Sequence, residues 1–349
     1  LVLLSGAVLI GAQLLLARYE GAVVQADLFG DRAAGAATPR RSDITGPLNI
    51  LLVGIDPRAT NPDTPPLADS IMVVHVPAGL DRAVLFSLPR DLLVEIPRFE
   101  PSGFPGGRHR LNSAMAFGSR VPGRSAPDPA RGFELLATTI GDRTGLTRFD
   151  AGVIVNFVGF QRIVDAMGGV DMYIDTDVRS EHREPDGSHR RPDPDGDGYV
   201  GPQAEYRKGH AHLEGWQALD YVRQRKTLPN GDYDRQRHQQ QFVKAMVDQA
   251  LSRDVVTNPV KLDAVLRAAG RSVVFSGRGH SVTDFALALR GLRADTIRTV
   301  KLPGVGVGRG ASYRGERFTP IADGFFAAVR AGTVENFLLA HPELADADR

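Results

Sequence analysis

The sequence predicts an α/β layered domain behind an N-terminal transmembrane helix. Short β-branched or aliphatic runs bounded by Pro, Gly and Asp alternate with stretches of helical period, the pattern of a sheet covered by helices. The chain opens with LVLLSGAVLIGAQLLLA, which carries no charge. Hydrophobic residues make up 42% and charged residues 24% of 349, a balance that supports a substantial core.

Residues 1–17 are at the short end of what spans a bilayer, and the helix is expected to begin before residue 1. A secretory signal peptide competes, but no A-x-A-type cleavage site closes the run. A buried helix also competes, although an all-apolar helix at a chain end has little to pack against. No basic flank fixes orientation, and a single anchor ahead of a large domain favours an extracytoplasmic domain. Residues 18–46, ending in GAATPRRSDITGP, read as a juxtamembrane linker.

NILLVGI (49–55), SIMVVHV (70–76) and AVLFSL (83–88) read as buried strands, as do GVIVNF (152–157) and VDMYI (170–174). Helical periods follow in FELLATTIG, in FQRIVDAMG with its Gly C-cap, in LEGWQALDYV and in RHQQQFVKAMVDQALS. The same alternation continues through TDFALALRGL (283–292), a strand in TIRTVKLP (296–303) and a helix in PIADGFFAAVRAG (320–332). No repeat or second linker appears, so one domain is expected over 47–335, with 336–349 as a C-terminal tail. Residues 183–202 have loop composition. Their Asp193, Asp195, Asp197 and Gly198 match the opening of an EF-hand loop, but position 12 would be Ala204, so a surface loop is expected.

Several chemistries are excluded. With no cysteine there is no disulfide, thiolate zinc site or cysteine nucleophile. A net charge of +1, with basic residues not interleaved with aromatics, argues against nucleic acid. No H-E-x-x-H or G-x-S-x-G occurs, and the glycines of LPGVGVGRG precede no helix. The histidines are expected at the surface and Trp216 in the core. Of 42 basic residues 37 are Arg, so any single arginine is a weak signal.

The pattern of charges says more. Asp56 closes the first strand and Asp69 opens the second, where open α/β sheets bind ligands. Two carboxylates there suit magnesium, which fills its remaining positions with water and phosphate oxygens; capping of turns is the alternative. Arg90 and Asp91 follow a buried strand and a proline, and Arg90 is directed outward. Arg223 and Arg225, two apart, share a face only on extended chain, so the helix before them must end near Val222 if both are to converge on one ligand. Arg235 and Gln239 lie i, i+4 at the start of a helix, where an anion is favoured and Arg grips two phosphate oxygens at once.

In order along the chain, GIDPR (54–58), ADSIMVVHV (68–76), SLPRD (87–91), RLNSAMAFG (110–118), VNFVGFQRIVDAMGGVDMYI (155–174), KGHAHLEGWQALDYVRQR (208–225) and DYDRQRHQQQ (232–241) resemble the LytR-CpsA-Psr family. The resemblance implies a three-layer α-β-α sandwich around a mixed central sheet, with an apolar lipid-binding groove. It implies a single-pass cell-membrane protein with an extracytoplasmic catalytic domain, which moves a glycopolymer from a polyprenyl-pyrophosphate carrier onto peptidoglycan through a phosphodiester. Asp56 and Asp69 then match a magnesium pair. Arg90, Arg223, Arg225 and Arg235 match pyrophosphate-binding arginines, with Gln239 beside them and Arg58, Asp91, Arg110 and Asn112 at further family positions. Leu67 stands where relatives often carry Arg. Asp91 is a candidate general base, with turn capping as its alternative. Arginine richness hints at an actinobacterial source and arabinogalactan as the cargo. A polyprenyl-pyrophosphate phosphatase or a non-catalytic binding module would use the same residues.

Overall fold

The computed structural model describes residues 24–30, 44–57, 61–196, 198–250, 252, 258–270 and 273–345. The expected transmembrane segment, 1–17, and Arg58 lie outside them. No helix among the described residues is long and apolar enough to cross a membrane.

Seven strands form the central sheet: β1 (Val24–Gln25), β2 (Leu48–Ile55), β3 (Ala68–Val76), β4 (Ala83–Ser87), β5 (Ala151–Asn156), β6 (Val273–Ser276) and β7 (Ile297–Val300), in the order β1-β6-β5-β2-β3-β4-β7. The sheet is mixed. β5 runs parallel to β2, β7 to β4 and β1 to β6, and the other neighbours are antiparallel. Nine helices are described: α1 (Asn112–Ser119), α2 (Pro129–Thr144), α3 (Phe157–Met167), α4 (Gly215–Tyr221), α5 (Asp232–Ala250), α6 (Pro259–Gly270), α7 (Val282–Ala288), α8 (Pro320–Arg330) and α9 (Val334–Ala340).

The unbroken apolar run of β2 follows from burial of both sheet faces. Leu51, Val53 and Ile55 point into one core with Met115 of α1, Phe133 and Leu136 of α2, Phe325 and Phe326 of α8 and Leu338 of α9. Leu48, Ile50 and Leu52 point into the other, with Val243 and Val247 of α5 and Phe285 of α7. Successive side chains of a strand alternate faces, so one run serves two cores. A third core joins α3, α4 and Phe242 of α5 to a hairpin of Val170–Ile174 with Gly209–Leu213.

VDMYI is a strand as expected, paired in that hairpin outside the central sheet, with Val170, Met172 and Ile174 buried and Asp171 exposed. Three expectations need correction. Residues 18–46 are more than linker, because β1 pairs with β6 and Leu28 and Phe29 enter the main core. The domain does not stop at 335: α9 follows, Leu344 is buried and Ala345 bridges Val300. Trp216 is half-buried, lies against Gly187 and donates to Glu214, whereas His75 and His238 are fully buried.

Candidate active site

β2, β4, β5 and β7 run in one direction, and the site lies where the first three of them end. Ile55, the last residue of β2, pairs with Asn156 of β5 and Ala68 of β3. The register shifts there, leaving Asp69 unpaired in the ladder as a bulge residue, and a bulge re-aims its side chain. Asp56 follows β2, Arg90 follows β4 and Phe157 follows β5. These are the carboxyl ends of strands, where open α/β sheets take ligands.

Arg90 is largely buried, with Nη1 2.5 Å from Asp69 Oδ1 and Nε 3.6 Å from Asp232 Oδ1. Burial disfavours its charge, but Asp232, Asp69 and Asp91 more than offset that and its pKa is raised. Arg235 is buried deeper, at 6% exposure. Its Nη2 lies 2.8 Å from Asp232 Oδ1 and donates to the Asp69 carbonyl at 3.1 Å. Burial pulls its pKa down against the pull of Asp232, and the neighbouring cations Arg90 and Arg225 add to the fall. Two guanidinium groups thus converge on one carboxylate in a poorly solvated place.

On the other side Arg223 Nη2 donates to Asp56 Oδ2 at 2.9 Å, and its guanidinium lies over the Phe157 ring, 4.7 Å from the centroid. α4 ends at Tyr221 with Val222 as its C-cap, as convergence of Arg223 and Arg225 requires. Arg90, Arg223 and Arg235 are therefore gathered around Asp56, Asp69 and Asp232 from three separate segments, and Arg225, on the Arg223 segment, is near enough for its charge to act on Arg235.

Not every expected residue points into this cluster. Gln239 is a buried brace: its Nε2 donates to Val222 O at 3.2 Å, and its Oε1 accepts from Ser70 Oγ at 2.9 Å. Asn112 is buried at the start of α1, its N–H donating to Arg90 O. Arg110 leans away, donating from Nε to Arg314 O, lying over Tyr313 and approaching Asp91 Oδ1 at 3.4 Å. Asp91 is engaged by Arg110, and its carbonyl accepts from Glu316 N. Leu67 is exposed at 41%.

Sequence reasoning missed Asp232, whose i, i+3 spacing to Arg235 was a readable signal. It also missed Phe157, and a second polar group beside Asp91 in which Glu316 accepts from Tyr313 at 2.8 Å and Tyr233 at 3.3 Å. Burial raises the pKa of both phenols, and Glu316 raises it further. No pattern in the sequence marked these.

Among the described residues no three His, Asp or Glu cluster as a metal-binding group. A magnesium ion here would rest on two carboxylates, which suits an ion that keeps water and phosphate oxygens in its shell. Arg90 meets Asp69 through one carboxylate oxygen and Arg223 meets Asp56 through one. A carboxylate has about four acceptor positions, so those contacts are compatible with a cation. A polar cavity of about 170 Å³ beside Asp177, Arg179 and Glu205 shares no residue with the cluster.

Residues 25–319 match the LytR_cpsA_psr family. The chain belongs to that family. It is 30% identical over 250 residues to the cell wall biosynthesis protein LcpA of Corynebacterium glutamicum, an alignment covering 67% of this chain and 42% of LcpA. It is 29% identical over 211 residues to the polyisoprenyl-teichoic acid–peptidoglycan teichoic acid transferase TagU of Bacillus anthracis, covering 60% of this chain and 55% of TagU. The chain thus spans about half the length of these curated relatives. The crystal structure of protein gbs0355 from Streptococcus agalactiae shares the α/β fold and mixed central sheet, with a TM-score of 0.62 over 82% of this chain and 87% of that one at 20% identity.

Proposed function

We propose that this family member is a membrane-anchored, extracytoplasmic phosphotransferase that attaches a glycopolymer from a polyprenyl-pyrophosphate carrier to peptidoglycan. The observation that carries the reading is the convergence of Arg90, Arg223, Arg225 and Arg235 on Asp56, Asp69 and Asp232 at the strand ends. Such a cluster suits a diphosphate, because planar guanidinium groups pair with phosphate oxygens and a buried setting strengthens each contact. TagU, by its name, works on a polyisoprenyl-linked donor and a peptidoglycan acceptor, which supports the substrate class. The donor's prenyl chain is assigned to an apolar groove of the core.

The acceptor hydroxyl attacks the sugar-linked phosphorus, the bond to the lipid phosphate breaks, and a sugar–phosphate–acceptor diester remains. Arg90 and Arg235 hold the diphosphate at the closed end of the site, while Arg223 and Arg225 reach it from the solvent side. Their fixed charges stabilise the negative charge gathering on the leaving lipid phosphate, the main contribution in phosphoryl transfer. Asp56 and Asp69 would hold magnesium, which when bound supplies further neutralisation of the diphosphate. Asp91, oriented by Arg110, is the carboxylate assigned to receive the acceptor's proton.

The test is product analysis with a polyprenyl-pyrophosphate saccharide, with and without an acceptor glycan. Transfer predicts lipid monophosphate and a phosphodiester-linked product only when acceptor is present, both lost in Arg90→Ala. Saccharide phosphate released equally without acceptor would mean hydrolysis, and no turnover would mean a binding module; either result overturns the proposal.

A further inference from the structure

The segment that presents Arg223 and Arg225 has a buried residue between them. Gln224 is 1% exposed, whereas Arg223 is exposed and Arg225 half-buried. Both ends of its amide are engaged. Oε1 accepts from the Glu181 backbone N–H at 2.8 Å, and Nε2 donates to the Asp220 carbonyl at 2.9 Å and to Asp220 Oδ1 at 2.8 Å. The other Asp220 oxygen accepts from Tyr206 OH at 2.7 Å.

The 179–181 stretch holds the following residues as well. Thr227 Oγ1 donates to Arg179 O at 3.0 Å, and Lys226 Nζ pairs with the Glu181 carboxylate. With Gln224, Lys226 and Thr227 all fastened to it, the chain leaves α4 and cannot continue as helix. Residue 224 faces inward, Arg223 reaches Asp56, and Arg225 is near enough to Arg235 for its charge to act there. The backbone offers only turn bonds here, Arg223 N to Asp220 O and Gln224 N to Tyr221 O. The side-chain network is what fixes the two arginines.

We infer that Gln224, locked by Asp220 and Glu181, is the positioning residue that sets Arg223 and Arg225 for diphosphate. This rests on the proposed diphosphate-binding role of those arginines. Gln224 itself is too buried to touch the ligand. Losing a hydrogen bond between charged partners costs about 10- to 100-fold in affinity, so releasing this lock is expected to act on binding well beyond any loss of stability.

The experiment is calorimetric titration of the full chain with inorganic pyrophosphate in magnesium buffer, alongside thermal melting. Gln224→Glu keeps the acceptor toward Glu181 N but loses the donor toward Asp220, and should weaken binding about tenfold or more. The double change Gln224→Glu with Asp220→Asn restores the side-chain pair with opposite polarity but not the bond to the Asp220 carbonyl, and should recover part of the affinity. A role confined to stability would move the melting temperature and leave affinity intact. Wild-type affinity in Gln224→Glu and Gln224→Ala, or no recovery in the double variant, overturns the inference. If the wild type binds no pyrophosphate, the functional reading fails and this inference with it. If the wild type binds and Arg223→Ala weakens it while Gln224→Glu does not, the positioning role alone fails.

Discussion

Asp232 lies at the junction of Arg90 and Arg235, so Asp232→Asn is a direct probe of how the cluster is held. The change removes the charge that Arg235 meets at 2.8 Å, leaving a guanidinium of 7% side-chain exposure beside Arg90 with the Asp69 carbonyl as its remaining acceptor. Removing one partner of a buried pair costs roughly 3–5 kcal/mol. Asp232 is 23% exposed, asparagine still offers an oxygen, and Arg90 retains Asp69, which together bring the expected loss to about 2 kcal/mol. Unfolding entropy of about 2.1 cal/mol/K per residue converts this to a melting point lower by about 3 °C for a domain of this size. Differential scanning calorimetry at neutral pH reads it. An unchanged midpoint would show that the two arginines do not depend on Asp232, and the electrostatic account of the site would be wrong.

Asp175 accepts from Arg237 at 2.7 Å and Gln241 at 3.0 Å and faces His238. Burial alone would raise its pKa, but these partners hold it well below the ordinary carboxylate range. Its stabilisation is complete above the unfolded value of 3.8 and is lost as pH falls below it, so Asp175→Asn should flatten the acid limb of the stability–pH curve below about pH 4. Arg223→Ala breaks an exposed pair and should change stability by less than about 1 kcal/mol, yet weaken pyrophosphate binding about 10- to 100-fold, as calorimetry would show. In Gly132→Ala the new Cβ would lie 2.2 Å from Ser119 Oγ and 2.4 Å from Met115 O, forcing α1 and α2 apart at an expected cost of about 1–3 kcal/mol in chemical denaturation.

Much of the sheet was legible because β2, β3 and β4 bury both faces and so read as continuous aliphatic runs. β6 was not, since VVFS is four residues long and owes its place to a partner, β5, more than a hundred residues away. VDMYI was legible as a strand, and its alternating Asp171 and Tyr173 marked one buried face, but its partner Gly209–Leu213 lies too far along the chain for local pattern to place it outside the central sheet. The tail was misjudged because α9 is held by contacts to α8 and the main core rather than by strong local patterning.

In the site, the spacing of Arg223 and Arg225 was informative because helix and extended chain place i and i+2 differently. Partners were not. Arg223 and Asp56 stand 167 positions apart, and no local rule brings them together. Gln239 has the residue type of a ligand contact, and only the fold shows its amide bracing Ser70 against the end of α4.

The most direct measurement is a crystal structure of the full chain with magnesium and a prenyl pyrophosphate. The account predicts diphosphate oxygens within hydrogen-bonding distance of Arg90, Arg223, Arg225 and Arg235, and the cation on Asp56 and Asp69. A head group bound elsewhere, with Arg90 still closed on Asp69 and Arg223 on Asp56, would contradict it.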